Sequence, residues 1–129
     1  MDELKIGDPV SAIYKTGKYI GEITDIRPQH YLVRVLAVLK HPAQGDLHSP
    51  KNIDVGFFHE RRALAYREQA NIPMKMVKPY TEEIPEYNQS LKEVVGTMKQ
   101  ELNEDSSPWA LKCLELMESL ENDYFKFTK

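Results

Sequence analysis

Two hydrophobic periods divide this chain. Up to about residue 40, apolar residues come in short runs bounded by turn formers. From Tyr87 onward they recur every three or four positions. The first spacing predicts strands and the second predicts helices. Val10 to Tyr14 is a short run with few charges. Lys15-Thr16-Gly17-Lys18 after it reads as a turn, since glycine takes positive φ at little cost. Tyr19 to Ile26 follows, with apolar positions too irregular for clean alternation, and Gly21 marks a bulge or sharp bend. Arg27-Pro28-Gln29-His30 predicts another turn. Tyr31 to Leu39 is a β-branched run, long enough to bend across a small barrel.

Turns spaced about ten residues apart favour a small barrel or sandwich over βαβ units. The Gly7-Asp8-Pro9-Val10 entry is similar to the start of an SH3-like barrel. His41 to Asn52 is rich in Pro, Gly, Asp, Ser and Asn, which predicts a loop. Phe57 to Tyr66 is expected to return as barrel strands, and Pro73, Pro79 and Pro85 punctuate a crossing segment. Tyr87, Leu91, Val94, Val95, Met98 and Leu102 then share one helical face. Asn103 to Ser106 predicts a break. Ser107 before Pro108 has the form of an N-cap followed by proline at the first helical position. Trp109, Cys113, Leu116, Leu120, Tyr124 and Phe127 make a second stripe. So short a break favours an antiparallel hairpin. Neither helix can bury its stripe alone, so each is expected to pack on the other and on the barrel. The expected class is mainly β plus α: an SH3-like small β-barrel over residues 1–80 and an antiparallel helical hairpin over residues 81–129.

Charge follows the same division. Residues 1–80 hold 12 Lys and Arg against 9 Asp and Glu, a balance of +3; residues 81–129 hold 5 against 11, a balance of −6. Such asymmetry points to separately formed surfaces. The net charge of −3 over 129 residues argues against nonspecific binding of nucleic acid or anionic lipid by the whole molecule. A chain of this length buries roughly two thirds of its unfolded surface, enough for a core without crosslinks. The single cysteine, Cys113, cannot form an internal disulfide, which suits a reducing, cytoplasmic setting. The start, MDELKIGDPV, is acidic and has neither an apolar run nor a cysteine. Neither a signal peptide nor a lipid anchor is expected from it.

Candidate chemistry is sparse. His41, Asp46 and His48 lie close in sequence and His59 with Glu60 could join them, but the spacing matches no defensible metal site. A polar loop bonded to its own backbone accounts for these residues equally well. His59 and Glu60 could serve as base and orienter, yet no nucleophile stands out to pair with them. Cys113 falls on an apolar helical face and reads as a packed core thiol. Phosphate-binding glycine motifs are absent. No metal, cofactor or catalysis is expected. Arg34, Lys40, Arg61, Arg62 and Arg67, with Tyr31, Phe57, Phe58 and Tyr66, could make a nucleic-acid patch on a small barrel. The acidic second half opposes that reading. Protein binding is favoured, because FFHERRALAYRE combines arginine with aromatic residues, both enriched at interfaces. The competing account is that the aromatics fill the core and local carboxylates neutralise the arginines.

The stretches AIYKTGKYIGEITDIRP, YLVRVLAVLKHPAQGDLH and FFHERRALAYREQANIP, with the KPY…EIPEY…SLK join into the helices, together resemble the kinase-associated protein B family of spore-forming Gram-positive bacteria. The resemblance runs over nearly the whole chain. It implies an SH3-like barrel with a helical C-terminal piece, and a non-enzymatic accessory or activating role for a membrane-bound sensor histidine kinase that feeds the sporulation phosphorelay. It implies no catalytic residues. The expected setting is cytoplasmic, with the membrane reached through the kinase and no direct insertion; a homodimer is also compatible. The interface expected from the residues themselves is His59, Arg61, Arg62, Tyr66 and Arg67.

Overall fold

A computed structural model describes residues 4–44 and 60–126. Five strands come first: β1 (Pro9–Tyr14), β2 (Gly17–Arg27), β3 (His30–Lys40), β4 (Gln69–Pro73) and β5 (Val77–Pro79). A single 3-10 turn at Met74–Met76 separates the last two. Two helices follow, α1 (Tyr87–Asp105) and α2 (Pro108–Phe125). The strands form one antiparallel sheet in the order β4-β3-β2-β1-β5. The chain divides into two compact units. The first is Met1–Pro42 with Ala63–Val94, and the second is Ala43–Arg62 with Val95–Lys129, so the division falls within α1.

In the first unit, Val10, Ala12, Ile23, Val33, Ala70, Ile72 and Val77 form a buried cluster contributed by all five strands. Three irregularities break the β2–β3 register. Tyr19 pairs with Val38 and Lys18 with Lys40, which leaves Leu39 extra on β3; Ile20 pairs with Ala37 and Gly21 with Val35, which leaves Leu36 extra. Thr24 is the extra residue on β2. Each extra residue shifts the faces by one. That explains why Ile20 and Gly21, or Ala37 and Val38, are buried consecutively where plain alternation would expose one of each pair. Gly21 is therefore at a bulge, as its setting in the sequence predicts. A Cβ there would stand 2.4 Å from the carbonyl oxygen of Arg34.

Two local expectations differ from the structure. The positive φ of the first turn belongs to Lys15 (55°), not Gly17. Gly17 is needed for space instead, since a Cβ would lie 2.5 Å from the Tyr19 hydroxyl. Over residues 60–65 the chain is irregular, and the strand begins only at Gln69. Side chains satisfy this backbone in place of a ladder. In the first unit, Leu64 donates its N–H to the Tyr19 hydroxyl at 3.2 Å, and its carbonyl accepts from the Tyr87 hydroxyl. The opening of α1 belongs to this unit too, and Ser90 there bonds β3 at Val38.

In the second unit, Ala110, Cys113, Leu114, Met117 and Leu120 form the buried face of α2, with Val95 and Leu102 buried on α1. The helix begins as expected. The Ser107 hydroxyl accepts the N–H of Ala110 at 3.0 Å, and Pro108 occupies the first turn. Ser106, at φ 60°, supplies the left-handed residue that ends α1. Leu102 and Cys113 line one cavity while Lys99 reaches Glu121 at 2.7 Å, so the helices run antiparallel.

Candidate functional site

The five residues expected at an interface fall in different surroundings. His59 lies outside the described residues, as do Asp46, His48, Phe57 and Phe58. Arg61 and Arg62 belong to the second unit, and Tyr66 and Arg67 to the first.

In the second unit, the Arg61 backbone is held from both sides by Gln44. The Arg61 N–H donates to Gln44 Oε1 at 2.8 Å, and the Gln44 amide returns a bond to the Arg61 carbonyl at 2.9 Å. The Arg62 guanidinium donates to the Asp123 carboxylate and lies over the Tyr124 ring, 5.2 Å from its centroid. Lys126 approaches the other oxygen of Asp123 at 3.1 Å. The hydrogen bond from Arg62, then that from Lys126, holds the Asp123 carboxyl below its ordinary value. Local neutralisation thus holds for Arg62, with Asp123 as the carboxylate. Glu68, close to the arginines in sequence, bonds backbone: its Oε1 accepts the N–H of Ala65 at 2.8 Å.

In the first unit, Ala65 to Glu68 is a tight turn closed by the Glu68 N–H to the Ala65 carbonyl at 3.0 Å. Tyr66 and Arg67 occupy its two central positions. Arg67 takes φ 70°, as the third residue of a type II turn requires. An L-residue with a long side chain pays about 1–2 kcal/mol for that conformation. The turn is fastened to β3 at Val35, which accepts from Arg67 N–H at 2.7 Å and donates to the Glu68 carbonyl at 2.9 Å. Tyr66 is therefore fixed in place while 55% exposed. Its ring meets that of Tyr87 at 5.8 Å between centroids, tilted by 51°.

Beside this pair lies a cavity of about 420 Å³, lined by Tyr66 and Tyr87 together with Leu36, Ile84, Pro85, Glu86 and Asn88. The register shift at Leu36 supplies one wall, the turn a second, and the segment entering α1 the third. Of the described residues expected at an interface, only Tyr66 lines it. Sequence reasoning missed the others, because Tyr87 reads as part of a helical stripe and Leu36 as part of a continuous strand. The one legible signal was the irregular mixture of bulky apolar residues, histidines, arginines and turn formers from Leu36 to Pro73, which takes in Leu36 and Tyr66 but stops short of Tyr87.

Other chemistry is scarce among the described residues. No three His, Cys, Asp or Glu side chains there could hold a metal ion together. His41 is buried, with Nδ1 2.9 Å from the Pro42 carbonyl. Burial lowers its pKa, opposed by that hydrogen bond. Cys113 is buried in α2, and desolvation followed by the nearby Asp105 charge pushes its thiol up to about 11. No described helix is long and apolar enough to cross a membrane.

The sequence profile described as Kinase associated protein B matches residues 14–125. A curated relative from Bacillus subtilis (strain 168), named kinase-associated lipoprotein B, is 59% identical over 125 residues, covering 97% of this chain and 98% of its own. The crystal structure of kinase-associated protein B from Bacillus cereus superposes with a TM-score of 0.81. It is 49% identical, with 95% of this chain and 98% of that chain covered.

Proposed function

Because this chain belongs to the kinase-associated protein B family, we propose that it is a non-enzymatic accessory protein that activates a sensor histidine kinase feeding the sporulation phosphorelay. The observation that carries this reading is the 59% identity to the kinase-associated relative, which extends over nearly the full length of both chains. Fold alone would not suffice, because one fold hosts many functions. The protein acts in the cytoplasm and reaches the membrane through its membrane-bound kinase. Its docking residues include His59, Arg61, Arg62, Tyr66 and Arg67, which offer the arginine and aromatic chemistry that interfaces favour.

The test is recovery of this protein on the immobilised cytoplasmic part of the kinase. No recovery of the wild-type chain would rule out direct association. Arg61→Glu with Arg67→Glu is expected to reduce recovery strongly, and equal recovery removes those residues from the interface. Arg62 needs a separate control, since Arg62→Glu also breaks the Asp123 pair. Arg62→Lys keeps a cation beside Asp123 and leaves the Lys126 contact in place while removing the planar guanidinium, so lost recovery at an unchanged melting temperature reports docking and not folding.

A further inference from the structure

We infer that the groove between Tyr66, Tyr87 and Leu36 is a docking site for an extended, proline-containing segment of a partner protein that carries a lysine or arginine beside its prolines. The inference goes beyond the kinase association and does not depend on which protein supplies the segment.

The lining chooses this occupant. Its walls are two tyrosine rings, Leu36, Ile84 and Pro85, and its polar side chains are Glu86 and Asn88. A regular peptide laid there would bring a backbone N–H with every residue, and each would need an acceptor once water is displaced. Proline brings none. A polyproline II segment also has no internal hydrogen bonds to lose and little conformational freedom to give up, so it suits a small aromatic groove. An α-helix is a poorer fit. With side chains it is about 10–12 Å thick, whereas a site of 420 Å³ lies in the small-ligand range of roughly 300–1,000 Å³.

Charge supplies the second half of the specification. Glu82, Glu83 and Glu86 fall within five consecutive residues leading into α1, all three exposed, and Glu86 lines the groove itself. Among the described residues none of the three forms an ion pair. A basic side chain next to the prolines would meet this acidic border. Arg67 adjoins Tyr66 in the turn but is not part of the lining.

The geometry is also held ready in the free protein. The Tyr87 hydroxyl is bonded to the Leu64 carbonyl, and the Tyr66 turn is bonded to Val35, one residue before the extra Leu36 of β3. Arg67 sustains a positive φ at the tip. Strain and a strand irregularity at one exposed aromatic point are what a binding site retains and a purely structural turn would shed.

The experiment is an NMR titration of the full chain with synthetic heptapeptides alternating proline and leucine. The set carries arginine at either end, glutamate in its place, or alanine for every proline. The expected result is shifts confined to Leu36, Tyr66 and Ile84–Asn88. The arginine peptides should bind about tenfold more tightly than the glutamate and alanine versions. Tyr66→Ala should weaken binding about tenfold or more, and Glu86→Lys should reverse the preference toward the glutamate peptide. Three outcomes would overturn the proposal: no shift in the groove with any arginine–proline peptide up to about 1 mM, equal binding of the alanine versions, or tighter binding there of an amphipathic helical peptide.

Discussion

The N–H of Val38 on β3 is donated to the hydroxyl of Ser90 on α1, 3.0 Å away, although 52 positions separate them. The same hydroxyl donates to the Tyr87 carbonyl at 2.7 Å. Val38 stands between the two extra residues of β3, Leu36 and Leu39, where the ladder is broken. A serine from the helix supplies the acceptor that the irregular strand pairing does not. The bond thus joins the bulged part of the sheet to the same helical turn that carries Tyr87.

Ser90→Ala should therefore cost about 1–3 kcal/mol, because it leaves a buried backbone N–H without its acceptor. Urea unfolding measures this directly. A loss within a few tenths of a kcal/mol would mean that another acceptor replaces the hydroxyl. Ser90→Thr keeps the hydroxyl and should recover part of the loss, less whatever its added methyl group costs in a site that is 2% exposed.

Two glycines should respond to alanine with opposite signs. At Gly21 the added methyl would meet the Arg34 carbonyl oxygen at 2.4 Å and Val33 Cγ1 at 2.6 Å, so the β2–β3 pair would have to part. Gly21→Ala should lose about 1–3 kcal/mol or more, as overpacking does. At Gly96, mid-helix and exposed, the methyl meets nothing within 4 Å. Gly96→Ala should gain about 0.5–1 kcal/mol from helix propensity alone. Thermal melts of the two variants side by side would refute this account if both moved the midpoint the same way.

Cys113 should behave as a core side chain. Its thiol is buried and pushed up to about 11, so almost none is thiolate near neutral pH. A disulfide reagent or maleimide should label native protein only at the rate at which unit two opens, and labelling should become rapid in urea. Fast labelling under native conditions would show that the α2 face is accessible.

The sequence made the larger elements legible for a simple reason: their periods are unambiguous. Val10 to Tyr14, Tyr31 to Leu39 and both helices announce themselves by spacing, and Ser107-Pro108 states the start of α2 outright. Gln69–Pro73 and Val77–Pro79 did not, because five and three residues with prolines inside them carry no period. The α2 stripe was displaced for a related reason. Trp109 and Leu116 are only partly buried, while Ala110 and Met117, one position on, are fully buried. Bulk marked the stripe, but the buried face of α2 runs through Ala110, Cys113, Leu114, Met117 and Leu120, whatever their size. The candidate groove was least legible. It depends on Leu36 being surplus to its strand, and on a turn whose positive φ falls on arginine and not on glycine.

Acid should weaken the first unit through His41. The Pro42 carbonyl can only accept, so Nδ1 carries the proton of the neutral ring in that bond. Burial disfavours the charged form and lowers the folded-state pKa below the ordinary 6.5. The unfolded chain then binds the proton more readily than the folded one. Stability from this group is complete above about pH 6.5 and is lost as pH falls from there through the lower folded value. The Asp123 contribution also disappears on acidification, but its loss begins only as pH falls through the usual carboxylate value of 3.8, well below the pH at which the His41 loss begins. His41→Asn tests the assignment, since an amide nitrogen can take the place of Nδ1 without titrating. Urea midpoints of the variant should be flatter than wild type between pH 7 and pH 5, while both proteins weaken together near pH 3. An unchanged slope between pH 7 and pH 5 would assign the acid sensitivity to another group.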